Sequence, residues 1–153
     1  MTAMRRIVYA SDFSPASRAA FRTALDMART WRAQLIVIHV IAPIATPLLG
    51  EGAYVPPKTW DQLEAAARTA ARKHLDALVR RARTAGVRAT AVIGEGPVAE
   101  RIVAVAKRQR AGLLVLGTHG RTGLARAFLG SVAGRVVATA SCPVLTVRGQ
   151  SKA

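Results

Sequence analysis

Short runs of aliphatic and β-branched residues alternate along this chain with longer stretches whose apolar positions return every three or four residues. The first run, residues 5–10 (RRIVYA), ends at Ser11-Asp12-Phe13-Ser14-Pro15. Ser14 there fits a helix N-cap and Pro15 the first helical position, where a missing N–H costs nothing. Ala20, Phe21, Ala24, Leu25, Ala28 and Trp31 then fall on one face of a predicted helix. Residues 34–41 (QLIVIHVI) are nearly all apolar, as in a strand covered on both faces. Pro43, Pro47, Gly50, Gly52, Pro56 and Pro57 make residues 41–58 an irregular connection of unusual length. Thr59 is expected to cap a long helix, with Leu63, Ala67, Ala70, Leu75, Leu78 and Ala82 along one side and Gly86 closing it. A third strand at 87–93 follows, then a helix opened by Pro97 with Val98, Ile102, Val105 and Ala106 inward. A fourth strand at 113–116 (LLVL), a glycine-bearing loop, a helix over 130–140 and a last strand, Val144–Val147, complete the order.

Five strands alternating with four helices predict an α/β fold: a single open parallel five-stranded sheet with helices on both faces, Rossmann-like, in one domain spanning 1–153. No internal repeat or linker interrupts the pattern. In such sheets a ligand sits beyond the carboxyl ends of the strands, where the strand order reverses. Function is therefore sought in the loops after the first, second and fourth strands.

Of 153 residues, 51% are hydrophobic and 5% aromatic, enough for a core that needs no covalent staple. The single cysteine, Cys142, excludes an internal disulfide and most cysteine-based metal sites, which agrees with a reducing cytoplasm. The longest strongly apolar stretch, residues 35–42, contains His39 and stops at Pro43, far short of the roughly 20 residues a membrane helix needs. No signal-peptide pattern opens the chain, so a cytoplasmic protein without a membrane segment is the expectation. Charge is the unusual feature: 23 Lys and Arg against 8 Asp and Glu give +15. Such an excess attracts polyanions. A GC-rich codon pool also favours Arg over Lys, and no block of five basic residues or interleaved aromatics marks a nucleic-acid platform.

The fourth strand runs into GTHGRTGLARAFLGS, from Gly117 through Gly120 to Gly130 and Ser131. Glycines at a strand end let the backbone approach an anion closely. Gly130-Ser131 should open the next helix, where free N–H groups, the helix dipole and the Ser131 hydroxyl favour phosphate. Arg121 and Arg126 lie between them and would bring positive charge. The same residues also fit a strand-to-helix turn that binds nothing. Asp12 fits either a ligand contact or an Asx-turn after the first strand. His39 reads as a hydrogen-bonded core residue, and His119 as either a phosphate donor or a solvated loop histidine. Cys142 reads as a small packed residue.

GTHGRTG, nine residues after Gly120 and then Gly-Ser, following LLVLG, resembles the nucleotide-binding signature of the universal stress protein family. The likeness extends to the opening IVYASDFSPAS, the LIVIHV strand and the closing SCPVLTV, nearly the whole chain. In that family's ATP-binding branch, Gly-x2-Gly-x9-Gly-Ser/Thr cradles phosphates and ribose. The resemblance implies ATP at Gly117, Gly120, Gly130 and Ser131, with Asp12 on the adenosine side and Val40 beside the adenine. Ser11, Arg121 and Val132 match flanking positions. It also implies a homodimer paired through Val144–Val147, an edge that needs a cover in any case. Two positions depart from the pattern: Gly112, where many relatives carry Asp, at the end of the strand far from the ligand, and Ala133, where some carry a hydroxyl or acidic residue, which removes one possible polar contact. The phosphate positions are intact.

The chain lacks a P-loop lysine, a metal-binding aspartate of the NTPase kind and a carboxylate placed to orient water. Together with what the resemblance implies, these observations favour a regulatory, stress-response module that holds ATP, with Mg²⁺ carried on the phosphates and an unknown protein partner. The alternative is a slow ATPase or a phospho- or adenylyl-transferase using His119, Arg121 and Ser131. A nucleic-acid-associated protein is the weaker third reading.

Overall fold

The computed structural model describes residues 4–44, 52, 54–119 and 129–149. Five strands, β1 (Arg6–Ala10), β2 (Gln34–Ile41), β3 (Ala89–Glu95), β4 (Leu113–Gly117) and β5 (Val144–Val147), form one sheet in the order β3-β2-β1-β4-β5. Every pairing is parallel. The connections carry α1 (Pro15–Trp31), α2 (Pro57–Thr84), α3 (Val98–Arg108) and α4 (Ser131–Thr139). This is the expected open α/β sheet.

Both faces of the sheet are covered, because successive strand residues point to opposite sides. Ile7 and Tyr9 of β1, Leu35 and Val37 of β2, and Leu113 and Val115 of β4 join Phe21 of α1 and Leu75 of α2 in one core. Val8, Ile36, Ile38, Leu114 and Leu116 join Ile102 of α3 and Val136 of α4 in the other. Strands buried on both sides must read as continuous apolar runs, and β2 and β4 do. Ser14 caps α1 as expected, its side chain accepting from Ser17 N at 3.2 Å.

Several expectations shift. α2 begins at Pro57, with Pro56 at the N-cap and no side-chain cap. Thr59 lies inside the first turn, its N–H on Pro56 O at 2.9 Å. The third strand starts two residues late because Gly86, at φ +82, ends α2 and Val87 N–H returns to Ala82 O at 3.0 Å. It also runs on past residue 93, because β2 extends to Ile41 and pairs Val40 with Gly94 and Ile41 with Glu95. Trp31 and Leu63, placed on apolar faces by periodicity, are 40% and 42% exposed. No described helix is long and apolar enough to cross a membrane.

Candidate functional site

Strand order reverses between β1 and β4, and a cavity of about 630 Å³ opens at the carboxyl ends of these strands. Ser11, Asp12, Val40, Gly117, Gly130, Ser131 and Val132 all line it. Gly120 and Arg121, together with Arg126, fall outside the described residues.

The β1 side is fixed by a chain of hydrogen bonds. Ser11 N–H continues the ladder to Ile38 O at 2.8 Å. Its hydroxyl accepts from Phe13 N at 3.1 Å and from Ser17 Oγ at 3.1 Å. Tyr9, buried beneath α1, donates to Ser17 O at 2.6 Å. Burial raises the Tyr9 pKa above the ordinary tyrosine value, against the opposing effect of its serine hydrogen bonds. Asp12 Oδ1 accepts from Ser14 N at 2.9 Å, the Asx-turn expected of it, while the residue still lines the cavity. The two readings of Asp12 are thus compatible.

The β4 side ends in a neck. Thr118 N–H continues the ladder to Val147 O at 2.9 Å, and Thr118 O accepts from Gly130 N at 2.8 Å. A Cβ on Gly130 would lie 2.9 Å from Thr118 O, so the chain's own closure requires glycine there. At Gly117 a Cβ would meet α1 backbone at 3.5 Å, an ordinary contact. Gly130 is the N-cap of α4 and supplies no side-chain cap. The first N–H groups of a helix lack intrahelical acceptors. Gly130, Ser131, Val132 and Ala133 line the cavity, so this end of α4 faces it with its dipole positive.

Periodicity missed several lining residues. Phe13, His74 and Thr118 belong to the cavity, as do Ala67, Ala70 and Ala71 of α2. His39 is hydrogen-bonded as expected, Nδ1 to Ser11 O at 2.7 Å, yet it lines the cavity rather than lying in the core. His119 Nδ1 lies 2.9 Å from Thr118 Oγ1. Among the described residues no group of His, Cys, Asp and Glu is placed to hold a metal ion.

A model of the universal stress protein family matches residues 4–148. A universal stress protein of Methanocaldococcus jannaschii is 33% identical over 151 residues, covering 97% of this chain and 84% of its own. Universal stress protein YxiE of Bacillus subtilis is 32% identical over 145 residues, covering 94% and 98%. Among solved structures, a family protein from Burkholderia pseudomallei superposes with a TM-score of 0.72 at 27% identity, over 95% of this chain and 97% of that one. Two others share the fold. One is a universal stress protein in complex with cAMP (TM-score 0.67, 24% identity, 97% and 100% covered). The other is a family protein from Arabidopsis thaliana with AMP bound (TM-score 0.67, 22% identity, 95% and 92% covered). With the strand order, the cavity at its reversal and matches running nearly end to end, the chain belongs to the universal stress protein family.

Proposed function

We propose that the protein is an ATP-binding regulatory module of the stress response, working as a homodimer. The observation that carries this reading is the cavity at the strand-order reversal with the start of α4, which has no side-chain cap, in its lining. Its volume of about 630 Å³ suits a small-molecule site, typically about 300–1,000 Å³. N–H groups of the first turn of α4 and the Ser131 hydroxyl take the phosphates, and Asp12 and Val40 take the nucleoside end. Mg²⁺, in this reading, is held by the phosphates of the ligand. The related structures with cAMP and AMP support a nucleotide as the ligand class.

The direct test is to denature freshly purified protein and analyse the released small molecules by ion exchange with mass detection. ATP near one per chain is the expected result. Mostly ADP would favour the slow-hydrolysis alternative and call for a time course. No release, followed by no saturable ATP binding with Mg²⁺, would end the nucleotide reading. Ser131→Pro sharpens the test. Gly130 at φ −59, ψ 157 already has the extended backbone that precedes proline, and Ser131 is the first helical residue. The variant should fold normally while losing one N–H and the hydroxyl, weakening ATP binding about tenfold or more.

The proposed dimer interface is β5, an edge strand whose four residues are half-buried in the single chain. Pro143 O and Val147 O accept from Leu114 and Thr118 of the β4 segment, so alternate residues 143, 145 and 147 turn their backbone groups inward. Thr146 therefore turns its N–H outward, toward a pairing strand. Thr146→Pro should convert a dimer to monomer in light scattering; an unchanged dimer mass would place the interface elsewhere.

A further inference from the structure

The wall of the cavity opposite the start of α4 in character is aromatic, and the roles assigned above leave it unused. Phe13 sits in the left-handed region at φ +64, unfavourable for a residue with a bulky side chain. Its ring carries that of His39 at 4.4 Å between centroids and 27° between planes, and that of His74 at 4.7 Å and 31°. Phe13 is the shared member of a three-ring assembly built from the β1–α1 turn, β2 and α2. All three residues line the cavity.

The two imidazoles are held differently. His39 is anchored: its Nδ1 lies 2.7 Å from Ser11 O, a carbonyl that only accepts, so Nδ1 carries the hydrogen. His74 is exposed and comes from a helix face that otherwise gives the cavity only methyl groups, from Ala67, Ala70 and Ala71. Those four positions follow the helical spacing that keeps residues on one side. The alanines put nothing larger than a methyl group into the cavity, and His74 adds a flat ring to the same lining. Thr118, Ser131 and the start of α4 belong to that lining too. A ligand that matches both sets of groups carries a planar ring system and phosphate.

We infer that His74, supported by Phe13, is the base-selecting residue of the site: its ring stacks against a purine and favours it over smaller bases. This rests on the nucleotide reading above, and adds to it the group on α2 that recognises the base. Base–aromatic stacking contributes about tenfold to affinity when tested by alanine substitution. Larger ring systems gain more from it because they cover more of the stacking face.

The test titrates ATP and CTP, each with Mg²⁺, into the wild-type chain, His74→Ala and His74→Phe, with ligand-free melting as the fold control. ATP should bind the wild type more tightly than CTP. His74→Ala should weaken ATP about tenfold and shrink the ATP-to-CTP preference, and His74→Phe should restore both by keeping a flat ring. A general loss of structure would not change the ratio selectively. Unaltered ATP affinity and preference in His74→Ala would overturn the inference, as would a His74→Phe variant no better than alanine. A wild-type chain that binds neither nucleotide would instead overturn the nucleotide reading on which the inference stands.

Discussion

Tyr9 joins the core to the site through its hydroxyl. It is 1% exposed, its ring packs against Phe21 at 5.5 Å, and its hydroxyl meets the Ser17 carbonyl and hydroxyl at 2.6 and 2.7 Å. Ser17 passes the connection to Ser11 and so to the turn bearing Asp12. Tyr9→Phe keeps the ring and removes one hydrogen-bonding group, leaving serine groups short of a partner, for a cost of about 1–3 kcal/mol near neutral pH. Ionisation reverses part of that difference. Burial raises the folded pKa of Tyr9 above the unfolded value of 10.0, so its contribution is complete below pH 10 and is lost as pH rises through the folded pKa. Urea midpoints at pH 8 and pH 11 should therefore show the wild type losing more stability over that interval than Tyr9→Phe. Equal losses would mean that Tyr9 does not set the alkaline limit. None of this was legible locally: Tyr9 reads as one more apolar strand residue, and its serine partners lie on the following turn and helix.

At the scale of elements, α2 divides in two. Its second half buries Ala71, Leu75, Val79 and Ala82, whereas residues 57–70 contain no buried residue. Helical periodicity identified the inward side, but it does not say what lies beneath that side, and beneath Ala67 and Ala70 lies the cavity. Leu63 followed the same spacing as Leu75 and ended 42% exposed against 0%. Leu75→Ala should cost about 2–5 kcal/mol through a cavity in the packed core, and Leu63→Ala within about 0.5 kcal/mol. Urea unfolding of both variants measures the difference. Amide exchange should likewise be faster over 59–70 than over 75–84, because few apolar contacts hold the first half. The strands, the Ser14 cap and the Asp12 turn were legible because each is specified within a few residues. The His39–Phe13–His74 assembly was not, because its members are far apart in sequence and only the packing of α2 on β2 and β3 brings them together.

For the whole molecule, the open parallel sheet followed from alternating elements, whereas the strand order did not, because alternation alone does not say which strands are neighbours. A cavity does open at the strand-order reversal, where ligands gather in such sheets. Net charge did not determine the fold, but it does affect stability. Among the described residues Arg68–Glu95 and Arg135–Glu100 pair on the surface, and such pairing leaves the net charge at +15. Exposed pairs contribute little, and like-charge repulsion opposes the compact state. Raising NaCl from about 10 mM to about 300 mM shortens the screening length several-fold and should raise the melting temperature; a flat or falling trend would mean that repulsion is not limiting. The Thr118–Gly130 hydrogen bond has a different consequence, for how the loop can vary. It pins both ends of residues 119–129 to the body of the protein, so the sequence between them can change in length without moving Thr118 or the first turn of α4. Doubling such a loop costs only about 0.6 kcal/mol in closure entropy. The bond is in effect a clasp: it keeps the end of β4 and the start of α4 together whatever lies between them, so a length change there should alter ATP binding, on the reading proposed above, before it alters stability.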